Sequence, residues 1–491
     1  MMKKTIKTIC GLMALLMLLS MLVACNTGKG DDNKDSESGG SESTTDTTKN
    51  DVVDTTPEIL YDENGYELDT IPEDLNFGGR DFTVLAWSEW VKQDFMTTEG
   101  IVWNDELYKR QLNIEQRLGV TIKVKQEKGS WDYRSDFVKV VENEMVSSSD
   151  CAYDLVLCYG ATVGGLTTKG YTANLHDLQY MNFDKPWWHD DQVEACSING
   201  KLYFVAGDAT TTTAQTLCCV YGNEKELEKY GFTDLYDMVY DGKWTIEEMK
   251  RMSLYNTTDT TMKGLTIAGS MQGPLLAGAG YKYVSHDESG LICVSQNLND
   301  SKVHSLFATL QDIICNHENV DYNVNNSTFA EGKAFFHLGQ VSDMTNFAKT
   351  ATFDFIVLPM PKYDTDQEAY HCIPGSWNAY YCVPFNVKDD DCSGAVLEAL
   401  GSYGHRLVVP TVLDECFSLK FVSDPEDSAM VQYVYSTLTV DAAHVFASDA
   451  VGNLHTAFHG IGRATDSWTT IYNTGIDSWN QKIMILNNQC K

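Results

Sequence analysis

Tryptophan and tyrosine fall beside short polar side chains at several places in this chain of 491 residues, and each such place could hold a solute rather than transform one. Trp87-Ser88-Glu89-Trp90 sets two indoles around a carboxylate, and Ser376-Trp377-Asn378 sets an indole between a hydroxyl and an amide. Tyr159 with Thr162, Asp208 and Gln272 complete the candidates. Flat aromatic faces stack on the apolar faces of sugar rings, while fixed polar groups read ring hydroxyls. Covalent chemistry has no comparable foothold. The chain lacks a GxSxG elbow, an HExxH pair and a P-loop. Acidic residues abound, so a glycoside hydrolase working with two carboxylates stays open by count, but no motif marks out a pair. His189-Asp190-Asp191 offers donors for a cation and reads more simply as the solvated start of a helix. Cys218-Cys219 is the first place to look for metal or redox chemistry.

The candidates matter because of the elements beneath them. Phe82 to Trp87 reads as a buried strand, Asn104 to Leu118 as a helix with Leu107, Gln111, Ile114 and Leu118 along one side and Gly119 as its stop. Val120 to Val124, Ser135 to Ser147 and Tyr153 to Cys158 continue as strand, helix and strand, the signature of a parallel α/β unit. In open α/β sheets, ligands are met by loops beyond the carboxyl ends of strands. Trp87, Glu89 and Trp90 follow the first strand in this way, and Tyr159 and Thr162 follow the third.

Further along, Lys201 to Val205 and Thr216 to Tyr221 are strand-like, and Asp208 lies in the polar run between them. Helices are expected at Glu224 to Tyr230 and at Ile246 to Met252, the latter capped by Thr245 with Glu248 three residues on. Strands are expected at Leu265 to Ala268, Phe329 to Leu338, Phe353 to Pro359 and Ala379 to Pro384, with a helix at Ser301 to Asn316. From Ser393 onward the chain reads as mostly helical. Gln272 follows a strand, and Trp377 immediately precedes another. Most of the 10 Trp and 25 Tyr must be packing residues, and Trp187 and Trp188 are read as anchors of a helix start.

The N-terminus carries an address. Lys3, Lys4 and Lys7 precede an apolar run from Ile9 to Ala24, too short for the ~20 residues of a comfortable membrane span. It ends in Leu22-Val23-Ala24-Cys25, which resembles the lipobox of bacterial lipoproteins, and the expectation is a diacylglycerol on Cys25 after removal of residues 1–24. Residues 25–60 read as the lipidated Cys and a polar linker: from Asn26 to about Thr56 they are Gly, Ser, Thr, Asp, Asn and Lys with almost nothing apolar, a composition that cannot offset the entropy of ordering and reads as a tether. At ~5–6 Å × √n it lets the body stand a typical ~30 Å from its anchor. Two acyl chains suffice for stable anchoring.

Roughly 430 residues remain, too many for one ordinary core, which points to two lobes. The formal charge of −33, from 36 basic and 69 acidic residues, argues against nucleic acid, whose phosphates are met by Lys and Arg. Of the 14 cysteines, twelve lie beyond Cys25, scattered without CxxC pairs, so buried free thiols are expected, as suits an exported protein of an anaerobic habitat. Neither a metal nor a cofactor is implied.

Several blocks in order resemble the extracellular solute-binding proteins of bacterial ABC importers, particularly the carbohydrate-uptake group. They are Asn199 to Val205, Val220-Tyr-Gly-Asn223 with Lys225 to Gly231, Lys243-Trp244-Thr245 to Met249, Phe329 to Phe335 and Asp354 to Pro361. Pro186-Trp187-Trp188 and Tyr236 to Thr245 look like a subgroup of such lipoproteins in anaerobic Firmicutes. Gly222 stands where that family usually has Tyr or Phe, and Phe335-Phe336-His337 replaces a Met-containing end, so no ligand residue is carried over there. The resemblance implies an α/β, two-lobe periplasmic-binding-protein-like fold with a ligand cleft between the lobes and a hinge of crossing strands. Lobe one is expected to hold about 75–215 plus part of 320–378, and lobe two about 216–320 plus most of 379–491. The resemblance further implies a monomeric receptor that does no chemistry on its ligand and hands it to a membrane permease. Abundant aromatics and chain length favour an oligosaccharide; peptide or polyamine is the alternative, which the negative charge would suit.

Overall fold

The computed structural model describes residues 60–95, 104–255, 261–417 and 425–490. The leader at 1–24, Cys25 and nearly all of the linker lie outside them. The first third runs β1 (Arg80–Trp87), α1 (Asn104–Leu118), β2 (Val120–Glu127), α2 (Arg134–Ser147), β3 (Leu155–Tyr159) and α3 (Gly160–Thr168). The middle runs β4 (Cys218–Asn223), α4 (Ile246–Ser253), β5 (Lys263–Ile267), α5 (Gln272–Gly278) and a hairpin of β6 (Val284–His286) and β7 (Ile292–Val294). Then come α6 (Ser301–Cys315), β8 (Val320–Tyr322), β9 (Ala334–Gln340) and β10 (Phe355–Leu358). The last part holds β11 (Ala379–Cys382), α7 (Asp390–Tyr403), α8 (Pro425–Ser436), α9 (Ala442–Val451) and α10 (Trp468–Gln489).

Among the described residues two larger sheets form, one per lobe, besides the two-stranded β6-β7 hairpin. The first has the order β11-β3-β1-β2, with β1 parallel to both β2 and β3 and β11 antiparallel at the edge. The second has the order β10-β4-β9-β5-β8, parallel across β5 and antiparallel where β4 meets β9 and β10. Continuous apolar runs such as Leu155–Tyr159 are buried on both faces, as strands under helices must be. Helix α1 buries Leu107, Ile114 and Leu118 as expected, but Arg110 in place of Gln111. It stops at Gly119, whose φ of 59° suits glycine, and where a Cβ would collide with Asn76. Thr245 caps α4 by accepting from Glu248 N at 3.3 Å.

Three expectations need correction. Strands β8, β9 and β10, within 320–358, pair with β4 and β5 in the second sheet, while β11 pairs with β3 in the first. Residues 320–322, 334–340 and 355–358 therefore go with the second sheet and 379–382 with the first, where part of 320–378 was expected with lobe one and most of 379–491 with lobe two. Helix α7 likewise packs on α1, whereas α8 lies beside β10. The physical reason is that a four-residue apolar strand fits either sheet, and its partner lies far away in sequence. Lys201–Val205 forms no ladder; Val205 makes a single antiparallel bridge to Tyr381 beside the edge strand β11. Ser327–Ala330 is a helical turn rather than the start of a strand, because Gly332, at φ 72°, reverses the chain before Ala334.

Helix α9 packs on α3 through glycine. A Cβ at Gly164 would meet the Val445 carbonyl oxygen at 2.6 Å and Phe446 Cα at 2.8 Å, both backbone atoms that cannot swing aside. Gly164→Ala is therefore expected to cost about 1–3 kcal/mol by overpacking, read as a lower urea midpoint with an unchanged m-value.

Candidate functional site

The site begins where the chain crosses between the lobes. One crossing contains Thr210, Thr211, Thr212 and Thr213, all fully buried, and the other runs through Ile373–Asn378. The two are laced together. Thr212 Oγ1 donates to Asn378 Oδ1 at 3.0 Å and accepts from Ala379 N at 2.8 Å, and Thr213 Oγ1 donates to the same Oδ1 at 3.3 Å. Gly375 N reaches Thr216 O at 2.7 Å, and Cys218 N reaches Ile373 O at 3.0 Å. Asp94 fastens the first crossing to lobe one, accepting from Thr211 N at 2.7 Å and Thr210 Oγ1 at 2.8 Å. Burial pushes its carboxyl up to about 6 against the pull of Arg110. Arg110 itself donates to Ala209 O at 2.9 Å and to the Asp94 carbonyl, which accounts for its burial on α1.

This lacing presents Trp377, 40% exposed, to an aromatic layer. Trp87 lies 6.4 Å from Trp90 and 6.4 Å from Trp377, at interplanar angles of 17° and 19°. Trp90 is 6.0 Å from Trp377, and Tyr159 stands 5.6 Å from Trp87 and 6.3 Å from Trp377. Trp131 meets Tyr159 edge-on at 6.3 Å. Such centroid separations are those of direct aromatic pairs, leaving no room for a ring between them. In this layer Trp87 is fully buried and, like Trp90, lines no cavity, so it backs the platform whose exposed ring is Trp377.

Beside it, between the lobes, lies a cavity of about 340 Å³. Lobe one contributes Trp131 and Tyr159, the second crossing Ser376 and Trp377, and the opposite wall Ser270, Gly273, Pro274, His444, His455, Thr456 and His459. Among the described residues no Asp, Glu, Lys or Arg lines it. Burial pushes His444 down to about 4, helped by His459, and burial with His444 does the same to His455. Neutral imidazoles can donate from one nitrogen and accept at the other. His455 Nδ1 lies 3.2 Å from Gly452 O, so in the neutral ring Nδ1 carries the proton and Nε2 is the acceptor. Among the described residues no group of three His, Cys, Asp or Glu could hold a metal ion.

Trp87, Trp90, Tyr159 and Trp377 thus come together, with Ser376 on the cavity wall. Asn378 is buried and lines a small adjoining recess. Glu89 supports the site without lining it: its carboxylate accepts from Gly129 N at 3.0 Å and Ser130 N at 3.2 Å, holding the loop that carries Trp131. Burial raises that carboxyl, but these backbone donors outweigh it and leave it lowered. Thr162 is fully buried in α3 with its hydroxyl unpartnered.

Asp208 is elsewhere, which corrects its expected place. It is buried and bonded to His189 Nε2 at 2.9 Å, His405 Nδ1 at 2.6 Å and the Tyr435 hydroxyl. Burial would raise its carboxyl, but the two histidines hold it far below the ordinary range. His189 is accordingly an ion-pair partner rather than part of a solvated helix start. Gln272 donates to the Tyr322 hydroxyl, and the cavity is lined by its neighbours Gly273 and Pro274 instead. Trp187 and Trp188 are fully buried, as expected. Cys218 and Cys219 are free and buried, and burial pushes both thiols well up, which leaves little thiolate for metal or redox chemistry.

Trp131 could have been read from the sequence, since it follows β2 as Trp87 follows β1. The three histidines could not, because they sit on helical segments that the strand-end rule does not reach.

No protein-family model matches the chain, and no curated protein matches it either. Solved structures do. The galacto-N-biose-/lacto-N-biose I-binding protein of the ABC transporter from Bifidobacterium longum, in complex with lacto-N-biose, superposes with a TM-score of 0.56 at 15% identity, covering 84% of this chain and 99% of that one. An ABC substrate-binding protein from Listeria monocytogenes in complex with cycloalternan gives 0.54 at 12% identity, over 82% and 99%. UgpB from Mycobacterium tuberculosis in complex with glycerophosphocholine gives 0.54 at 16%, over 84% and 99%. The chain has the two-lobe fold of ABC solute-binding proteins.

The histidines make the stability of the cleft wall pH-dependent. Unfolded, His444 and His455 titrate near 6.5; folded, near about 4, so the unfolded chain binds more protons between those values and stability falls as pH falls through that window. Asp94 and Asp441, raised to about 6, slope the opposite way between 3.8 and about 6. The difference between variants isolates the imidazole: from about pH 7 to about pH 5 the urea midpoint of His455→Gln is expected to fall less than that of the wild type.

Proposed function

We propose that the chain is an exported solute-binding receptor that takes up a neutral oligosaccharide and delivers it to an ABC permease. The observation that carries this reading is the cleft's chemistry: an aromatic platform and neutral imidazole, hydroxyl and backbone groups, without one charged side chain on the larger cavity, in a chain of net charge −33. Aromatic faces and neutral hydrogen-bonding groups suit a polyhydroxylated ring. A polyamine or cationic peptide would need carboxylates to replace the water it loses; among the described residues none lines this cavity, and Asp441, in the small adjoining recess, already accepts from the backbone N–H groups of Tyr283 and Ala443. The same lack weighs against a glycoside hydrolase, which needs two carboxyl groups flanking the scissile bond. The fold it shares with proteins solved with lacto-N-biose and cycloalternan agrees with the reading.

Delivery belongs to the same proposal. Leu22-Val23-Ala24-Cys25 marks Cys25 for lipidation, after which the polar linker tethers a monomeric body to the outer face of the cell membrane, in the manner of the lipoproteins of anaerobic Firmicutes. Confinement raises the receptor's effective concentration at its permease. Among the described residues no helix is long and apolar enough to cross a membrane. The proposed ligand-reading residues are Trp377, Tyr159, Ser376 and Asn378, with Trp131 and the cleft histidines added, and Trp87 and Trp90 back the platform from behind.

A thermal-shift screen of neutral oligosaccharides, peptides and polyamines is expected to raise the melting temperature with the sugars alone, and incubation with the bound sugar to yield no product. A polyamine hit or sugar cleavage would sink the reading. Trp377→Ala should weaken sugar binding about tenfold, some 1.4 kcal/mol. Cys25→Ala should release a binding-competent receptor into the medium and abolish uptake.

A further inference from the structure

Below Ser376 the cleft continues into a recess of about 20 Å³, walled by Gly160, Asn378, Tyr380, Asp441 and His444. It shares the segment Ile373–Ser376 and His444 with the larger cavity, so the two are continuous. A space of that size takes about one water molecule, or one group of similar size.

Its wall holds polar atoms that the protein leaves unmet or poorly met. Asn378 is 2% exposed, and its Oδ1 is occupied by Thr212 and Thr213; its Nδ2 makes no hydrogen bond of ordinary geometry and meets only a weak acceptor in the Tyr380 hydroxyl of the same wall. His444 Nε2, on the facing helix α9, has no partner. Asp441 is already committed: Tyr283 N donates to one oxygen at 2.6 Å and Ala443 N to the other at 3.0 Å. A buried donor left poorly paired costs up to about 1–3 kcal/mol, so an amide on the wall of a recess with an opening is better met by a partner that arrives from the cleft.

The chemistry of that partner is narrow. Asn378 Nδ2 can only donate, whereas an imidazole donates or accepts according to its tautomer. A hydroxyl is both donor and acceptor and can answer the two at once. An ammonium group brings donors alone and cannot accept from the amide. A methyl group satisfies neither atom. A carboxylate or phosphate is too large for the space and would be set beside Asp441.

The geometry points to this recess as a one-hydroxyl pocket: a single hydroxyl projecting from the bound solute enters beneath Trp377, accepts from Asn378 Nδ2 and completes its hydrogen bonds with His444. In the free receptor one water takes its place. The pocket rests on the oligosaccharide reading of the cleft and sharpens it, because it makes one hydroxyl position of the sugar decisive while the aromatic platform tolerates any ring. Sites that hydrogen-bond a substrate hydroxyl reject the analogue lacking it far more strongly than apolar contacts discriminate size.

The test uses lacto-N-biose, maltotriose and maltotetraose, each with its singly deoxygenated analogues, and crystals of the receptor free and bound. The free crystal should show one ordered water on Asn378 Nδ2, and the bound crystal a sugar hydroxyl there. Asn378→Asp keeps the acceptor and removes the N–H; it should weaken the parent sugar about tenfold or more while leaving the analogue deoxygenated at that position unchanged. Should that variant not fold, His444→Gln is measured the same way. A sugar bound with the recess dry or still holding its water, or a deoxygenation penalty equal in wild type and both variants, overturns the pocket and leaves the receptor reading standing. Failure of every sugar to bind overturns the oligosaccharide reading itself and the pocket with it.

Discussion

Thr212 and Asn378 meet across the two segments that carry the chain between its lobes, and the site depends on that meeting. Both residues are buried, so each polar atom must find a partner or burden the fold. Thr212 solves the problem by bonding to the side chain of Asn378 and the backbone of Ala379 together. One consequence is register: Ala379 opens β11, the strand lent to the first sheet, so the same bond that closes the crossing sets where that strand begins. Another is position, since Trp377 precedes Asn378 and is held at the cleft by a neighbour that cannot shift.

A second buried arrangement ties the lobes behind the cleft. Asp208 belongs with α7 and the first lobe, and Tyr435 lies on α8 beside β10 of the second. Their hydrogen bond therefore joins the lobes, and His189 and His405 bond to the carboxylate at its centre. A buried charge persists only when paired in this way. Charged groups of the interior are spent on such ties, as Asp94 and Arg110 also show, and the described residues that line the larger cavity carry no Asp, Glu, Lys or Arg.

Local pattern carried a large share of this architecture. Helix α1 was legible from Asn104 to Leu118 because its apolar positions repeat with the helical period and glycine stops it. The strand Leu155–Tyr159 was legible because only a doubly covered strand tolerates such a run. The aromatic platform followed, since Trp87, Trp90 and Tyr159 sit where strands of the first sheet end, and Trp377 where β11 is about to begin. What failed was long-range. Ala379–Cys382 carries no mark of its sheet, and the partners that claim Asp208 lie 19, 197 and 227 residues away in the chain. A polar loop residue reads the same whether it faces water or a buried imidazole. His444, His455 and His459 reach the cleft from helical turns whose own periodicity says nothing of a cavity.

The absence of charge from the cleft wall also bears on how a solute would arrive. A strongly acidic surface draws cations and repels anions, with a force that weakens as salt rises. A neutral molecule feels neither, so its encounter rate is set by diffusion and by the width of the opening and is indifferent to ionic strength. The surface charge then acts on other bodies: it would hold like-charged copies of the protein apart and turn anionic solutes away before they reach the mouth. Selection by charge takes place at the rim, and selection by shape inside.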